Sequence, residues 1–142
     1  MKNLLTKIFQ KLIYNKDIRN FKKNFFYYIF FRLIRKSLNS MIEVKIYNFK
    51  IWASNKKNKT SHSILRKCDF TDHSELKLIK KISNLKKIFL IDCGSNFGFY
   101  SLFCASLSDE NKIISLEASP STYKDQKENI TLNNFENIKL KN

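Results

Sequence analysis

The chain has 142 residues, of which 43% are hydrophobic, and a formal net charge of +15. This length suffices for one hydrophobic core, and 13 Phe and 6 Tyr with a single Pro exclude a long disordered linker. Residues 1–91 carry 22 Lys and Arg against 5 Asp and Glu, whereas residues 92–142 carry 5 against 7. The basic part would attract phosphate groups of nucleic acid or anionic lipid, although a biased base composition of the genome also explains part of the excess.

The first residues resemble neither a secretory signal nor a membrane span. Lys7, Gln10 and Lys11 interrupt what would have to be an unbroken apolar core. The longest apolar run, residues 25–31, ends at Arg32, whereas a span needs about 20 such residues. We therefore expect a cytoplasmic protein, attached at most peripherally to the inner membrane face.

Residues 1–40 are predicted to form a basic amphipathic helical extension, separate from a domain at residues 41–142. Apolar residues at helical spacing predict a helix over residues 1–14, and a second helix follows over residues 17–38. Residues 1–38 hold 10 basic residues and one acidic residue. The two main interpretations are packing against the domain or another subunit and binding to an anionic membrane surface. Nucleic-acid binding is a weaker third, because the apolar residues form one continuous face.

The next stretch predicts a hairpin and two less regular segments. Alternating apolar and polar residues over 42–53 predict two strands that turn near residues 47–49. The polar residues 54–63 predict a loop, and residues 64–70, "ILRKCDF", predict a short strand.

Two helix starts carry capping signals. Residues 72–83 predict a helix capped by Asp72 or Ser74. Its inward positions are Leu76, Ile79 and Ile82. A later helix begins with Ser119 as the N-cap and Pro120 at the first helical position.

Cysteines and histidines do not form a metal-binding pattern. Cys68, Cys93 and Cys104 are an odd number, without CxxC spacing or a spacing with His62 or His73 that suits a metal. We expect no metal site, reduced and partly buried thiols, and histidines that are ordinary surface or turn residues.

From about residue 87 the pattern alternates between strand and helix. The predicted strands are 87–92, 111–117 and 136–142, and the predicted helices are 99–107 and 119–134. The first strand, "KIFLID", is of the buried type. This order is a βαβαβ unit, which is half of a doubly wound, nucleotide-binding sheet.

The only two glycines of the chain, Gly94 and Gly98, lie between the first strand and helix of this unit. Glycine allows the sharp turn from strand to helix and the close approach of a ligand, to which the helix start offers free N–H groups. Glu117, 25 residues after Asp92, ends the second strand and can bind the ribose hydroxyls of an adenosine. The dinucleotide pattern fails because its third and sixth positions are Asn96 and Phe99, and a P-loop is absent.

The ordered set of strand, "DCGSNFG", helix, strand and "LE" resembles the first two motifs of S-adenosylmethionine-dependent methyltransferases. Within that class, "FLIDCGSNFGFYSLFCA" followed by "IISLEASPSTYKDQKENITLNNFENIKLKN" is similar to the FkbM-type family over roughly residues 60–142. Ser95 replaces the alanine usual in the family's turn. Ala118 replaces the proline that usually follows the acidic residue, whereas Pro120 is kept.

The resemblance implies a Rossmann-like α/β methyltransferase fold, of which this chain holds about the first three strands. It implies S-adenosylmethionine as the cofactor and O-methylation of a sugar or similar hydroxyl as the reaction. The cofactor-binding residues it implies are Asp92, Gly94, Ser95, Asn96, Gly98 and Glu117. The general base and the acceptor site remain unassigned, so we expect a fragment without a full catalytic site.

The implied partner is a small-molecule or glycan acceptor, and no nucleic acid is expected. The alternative function is a non-enzymatic, membrane-associated or scaffold module that acts through residues 1–40.

Overall fold

The structure, a computed structural model, describes residues 7–8, 29, 31–33, 41–54, 59–67, 70 and 72–142. Residues 7–8, 29 and 31–33 are helical, and the rest of the predicted extension at residues 1–40 lies outside the described residues, as does Cys68. The further elements are β1 (Ile42–Ile46), β2 (Phe49–Ala53), α1 (Lys59–Lys67), α2 (His73–Ser83), β3 (Phe89–Cys93), α3 (Phe99–Ala105), β4 (Lys112–Leu116), α4 (Pro120–Asn133) and β5 (Ile138–Lys141).

The described residues form two compact units. The first unit holds the described residues up to Ile46 and from Ile51 to Phe70, and the second holds Tyr47–Lys50 and residues 72–142. The predicted domain boundary near residue 40 stays a prediction.

The predicted hairpin is confirmed as a two-stranded sheet of β1 and β2. Ile42, Val44 and Ile46 are buried at alternate positions of β1, as the period of a strand requires. The chain reverses at Tyr47, whose φ of 52° is the left-handed conformation typical of a tight turn.

Helix α1 replaces the predicted loop at residues 59–63 and the predicted strand at residues 64–67, so both predictions were wrong there. Its buried residues Ser61, Ile64 and Leu65 follow helical spacing, which the polar composition of the segment concealed. The Ser61 hydroxyl accepts a hydrogen bond from the Ser54 backbone at 2.6 Å. His62 belongs to this helix and packs against the Phe31 ring, so it is not a turn residue.

Helix α2 begins directly after Asp72 and buries Leu76, with Ile79 and Ile82 half-buried as predicted. The Asp72 side chain does not cap the helix. Instead it accepts a hydrogen bond from the Tyr100 hydroxyl at 2.6 Å, which ties the start of α2 to α3.

The βαβαβ prediction is confirmed by a three-stranded parallel sheet in the order β3-β4-β5. Ile91 pairs with Ile114, and Asp92 pairs with Ser115. Because neighbouring parallel strands end together, the turns that follow β3 and β4 lie at the same edge of the sheet. That edge is where open α/β sheets bind ligands.

Both crossover helices contact the same face of this sheet. Ser101 on α3 and Gln126 on α4 each bond to Ser115 of β4. On the opposite face Phe89 and Ile91 remain 63% and 55% exposed. The prediction of a buried-type first strand was therefore wrong for these two residues, since α3 and α4 both pack on the other face of the sheet.

The core of the second unit lies between the covered face of the sheet and the helices. It is built around Cys104, Ala105 and Ile113, against which Ile79, Ile88, Leu90, Phe135 and Ile138 pack. Burial, with a smaller contribution from the charge of Asp92, raises the pKa of Cys104 to about 11, so its thiol stays protonated at neutral pH. Cys104 and the exposed Cys93 are both free thiols.

No helix in the described part of the chain combines the length and the apolar composition needed to cross a membrane. Across residues 41–54, 59–67 and 72–142, and at the few earlier described positions, no three His, Cys, Asp or Glu side chains form a group that could hold a metal ion.

Candidate functional site

The turn between β3 and α3 has an unusual backbone. Three of its five residues have positive φ: Gly94 at 72°, Asn96 at 54° and Gly98 at 79°. The N–H groups of Gly94 and Ser95 both donate to the Leu116 carbonyl, at 2.9 and 3.0 Å. The turn is thereby attached to the end of β4 rather than projecting freely.

The two glycines are required for different reasons. A Cβ added to Gly94 would meet no protein atom within 4 Å apart from its two chain neighbours, so the positive φ alone makes the fold favour glycine there. A Cβ on Gly98 would lie 2.7 Å from Nε2 and 2.8 Å from Cγ of Gln126. The backbone of the turn is therefore accessible at Gly94 and packed tightly at Gly98.

Asp92 is the last but one residue of β3 and lies beside this turn. Its Oδ2 accepts a hydrogen bond from the Ser101 hydroxyl at 2.6 Å. Burial, with a small addition from the charge of Glu117, raises the pKa of Asp92 above its usual value of 3.8, while hydrogen bonds from Ser101 oppose the rise.

Glu117 joins the two turns that follow β3 and β4. Its Oε2 accepts the Asn96 N–H and its Oε1 accepts the Ser119 N–H, both at 2.8 Å. Since a carboxylate oxygen can accept more than one hydrogen bond, both oxygens retain acceptor capacity for a ligand. Glu117 is thus a structural bridge as well as a candidate ligand.

The buried residues of α4 are polar, which sequence reasoning missed. Gln126 and Asn129 are fully buried. Gln126 bonds to Ser115 and to Ser95, and Asn129 donates to the Phe97 carbonyl at 3.2 Å. The available signal was their spacing of three residues on a helix with no apolar stripe, which hydrophobic periodicity does not detect.

The asparagines at the end of α4 also have defined partners. The Asn133 amide accepts from the Lys50 N–H and donates to the Lys50 carbonyl, both at 2.7 Å. Asn134 follows the helix with a φ of 54°, a left-handed position that Asn tolerates. The "ENITLNN" segment therefore attaches the helix to the glycine turn and to β2.

The structure brings most of the predicted cofactor-binding residues together at one edge of the sheet. Asp92, Gly94, Asn96 and Glu117 lie in or directly beside the two joined turns. Ser95 is buried and its hydroxyl points to Gln126 and the Leu116 carbonyl. A cofactor contact of Ser95, like the binding role of the other five residues, stays a prediction.

A cleft of 980 Å³ lies elsewhere, at the amino ends of β4 and β5. Phe89, Asn111, Lys112, Asn137 and Lys139 are among its lining residues, and no residue of the glycine turn contributes. Because open α/β sheets bind ligands at the carboxyl ends of their strands, we place the candidate site at the turn rather than in this cleft.

No family model matches the sequence, and no curated protein matches it. Among solved structures, the SAM-dependent methyltransferase from Agrobacterium tumefaciens is similar, with a TM-score of 0.55 and 14% sequence identity. The match covers 72% of this chain and 32% of that one, so this chain spans about a third of the neighbour's length. The fold is therefore a Rossmann-like α/β fold like that of this neighbour, and the likeness at this identity extends to the fold alone.

Proposed function

We propose that this chain forms the cofactor-binding part of an S-adenosylmethionine-dependent methyltransferase of the FkbM type, which methylates the oxygen of a sugar or similar hydroxyl. One observation carries the proposal: Asp92, the open backbone at Gly94 and Glu117 meet where two adjacent parallel strands end. The resemblance of "DCGSNFG" and "LE" to the family's motifs supports the choice of cofactor.

The site fits the chemistry of S-adenosylmethionine. The free space beside Gly94 admits a ligand against the backbone, which any side chain there would reduce. Glu117 retains acceptor capacity for two ribose hydroxyls, and its position is held by two backbone N–H groups. Asp92 supplies a carboxylate for the amino group of the methionine part, and Ser101 holds that carboxylate in place.

When bound, S-adenosylmethionine supplies a methyl group on a positively charged sulfur. The residues of this chain orient the cofactor, since methyl transfer depends mainly on placing the acceptor in line with the breaking bond. Glu117 would hold the ribose end of the cofactor beside the turn, and Asp92 would hold its amino-acid end. The hydrogen bonds from Gly94 and Ser95 to the Leu116 carbonyl hold the turn beside the residue that precedes Glu117.

The proposal is tested by calorimetric titration of the 142-residue chain with S-adenosylhomocysteine. We expect weak but measurable binding by the wild type. Glu117→Ala should lower the affinity by about 1–3 kcal/mol, or about five- to 150-fold, because a charged hydrogen-bond acceptor is lost. Glu110→Gln is the matched control, since Glu110 is exposed and pairs only at the surface, with Lys87.

Because Glu117 also bridges two turns, each variant is checked for an intact sheet by its amide NMR spectrum. A folded Glu117→Ala chain with wild-type affinity would contradict the site assignment. Equal binding of ATP or NAD would contradict the choice of cofactor, because both share the adenosine but not the methionine part. The acceptor class is tested separately. A longer protein that contains this sequence is incubated with labelled S-adenosylmethionine and a glycan, and transfer of the labelled methyl group to the glycan hydroxyls is measured.

A further inference from the structure

Three fully buried polar side chains lie between the sheet and its helices. Ser101, Ser115 and Gln126 are each 0% exposed, although burying a polar group is costly unless it is hydrogen-bonded. They form one series of hydrogen bonds, in which Ser115 bonds to Ser101 on one side and to Gln126 on the other. Apolar side chains would fill such a position without any need for hydrogen bonds. The buried hydrogen-bond series therefore calls for an explanation beyond packing.

The hydrogen bonds of this series all run in one direction, from donor to acceptor. The Ser101 hydroxyl donates its single hydrogen to Asp92 Oδ2, so in its 2.8 Å contact with Ser115 it must be the acceptor. Ser115 is then the donor in that contact, and it accepts from Gln126 Nε2. Donors thus run from Gln126 through both serines to the Asp92 carboxylate, an arrangement in which each bond strengthens the next.

The other end of the Gln126 amide reaches the glycine turn. Its Oε1 lies 2.8 Å from the Ser95 hydroxyl oxygen, which donates to it more closely than to the Leu116 carbonyl at 3.1 Å. The same side chain fills the space beside Gly98, where an added Cβ would overlap it. One side chain of α4 therefore contacts the turn at two points and Asp92 through two hydroxyls.

We propose that Gln126 is a positioning residue for the candidate cofactor site, which holds the glycine turn directly and orients Asp92 through Ser115 and Ser101. This inference rests on the proposed function, because Asp92 and the turn are the parts of the site that would hold the methionine end of the cofactor. Gln126 itself does not reach the ligand. It acts by presenting both parts in one fixed arrangement before the ligand arrives, which lowers the cost of binding.

The ionisation of Asp92 reports on this chain of hydrogen bonds without any ligand. Hydrogen bonds donated to a carboxylate favour its charged form and lower its pKa. The other groups that act on Asp92 are Glu117, after β4, whose charge raises its pKa, and Tyr100 and Cys104 of α3, whose own pKa values its charge raises. A substitution of Ser115 or Gln126 removes none of these groups.

The first test measures the pKa of Asp92 by carboxyl carbon NMR in the full chain. Ser101→Ala should raise it, because the direct donor is lost, and Ser115→Ala should raise it by less, because only the support of that donor is lost. Asn129→Ala is the matched control. Asn129 is equally buried on α4 and also bonds to the turn, but it does not belong to the hydrogen-bond series that leads to Asp92. An unchanged pKa in Ser115→Ala, or an equal rise in Asn129→Ala, overturns the inference.

The second test titrates Gln126→Met with S-adenosylhomocysteine, since Met keeps the volume but cannot donate to Ser115. We expect about a tenfold loss of affinity, with Lys127→Met, an exposed neighbour on α4, unchanged. Wild-type affinity in folded Gln126→Met overturns the inference. If the wild type itself does not bind, the proposed function fails. The measured pKa of Asp92 in Ser115→Ala still decides whether the hydrogen-bond series orients Asp92. The same measurement decides the case if Gln126→Met does not fold.

Discussion

Replacing either glycine with alanine should destabilise the fold, but Gly98→Ala should lose more stability and Gly94→Ala should lose more cofactor binding. Placing an L-residue in the left-handed region costs about 1–2 kcal/mol, and this applies to both positions. Gly98→Ala adds overlap with Gln126 at 2.7 and 2.8 Å, and overpacking of this kind costs about 1–3 kcal/mol. We therefore expect a loss of about 2–5 kcal/mol in the free energy of unfolding for Gly98→Ala and about 1–2 kcal/mol for Gly94→Ala.

Binding should show the reverse order among folded variants. Gly94→Ala places a methyl group in the open space where the ligand would approach, so S-adenosylhomocysteine should bind far less tightly although the chain remains folded. The steric part of the Gly98→Ala effect should be relieved in the double variant with Gln126→Ala, which removes all three overlapping atoms. We expect the double variant to be more stable than the sum of the single losses predicts, by about 1–3 kcal/mol.

Stability is measured by native-state hydrogen exchange at the Ile113 and Ile114 amides as urea is added. These amides lie in the central strand of the second unit, so they report on that unit alone. Equal losses for the two Gly→Ala variants, or strict additivity of the double variant, would refute the reasoning that Gln126 packing selects glycine at position 98.

Three further predictions follow from burial and charge. Because folding raises the pKa of Asp92, the folded state binds more protons than the unfolded state at pH values between the unfolded and the folded pKa of this group. The free energy of unfolding should therefore fall as the pH rises from about 4 through the folded pKa. Asp92→Asn should abolish this slope in urea titrations across pH. A slope that persists in the variant would assign the effect to another group. Iodoacetamide at pH 8 should label the exposed Cys93 and spare the buried Cys104, as peptide mass mapping would show; labelling of Cys104 in the folded chain would contradict its burial. Residues 1–38 are proposed to bind anionic vesicles in a salt-sensitive manner, and co-sedimentation unaffected by their deletion would exclude them as the attachment site.

Much of the second unit follows from local sequence. The alternation of strand and helix from Phe89 onward, the N-cap at Ser119 with Pro120 after it, and the glycine turn all rest on signals confined to a few residues. Such signals reflect backbone conformation and capping, which neighbouring residues control directly. The same is true of the hairpin at residues 42–53.

Local signals failed where distant partners outweighed them. In α1, polar residues that resemble a loop form a helix because Ser61, Ile64 and Leu65 become buried together. Asp72 precedes a helix yet bonds to Tyr100 on another helix instead of capping its own. The Phe31 ring packs against His62 of α1, and Tyr100 bonds to Asp72 from 28 residues away, so no short window contains either pair.

The sequence by itself determined that Asp92, two glycines and Glu117 follow two strands in the order of a cofactor-binding unit, because strand ends and turns are read from adjacent residues. Only the tertiary structure decided what each residue does there. It assigned Gly94 to the open side of the turn and Gly98 to the side packed against Gln126, and it showed that Glu117 joins both turns. It also revealed Gln126, Ser115 and Ser101 as one chain of hydrogen bonds, since residues from α3, α4 and β4 become neighbours only when the helices pack on the sheet.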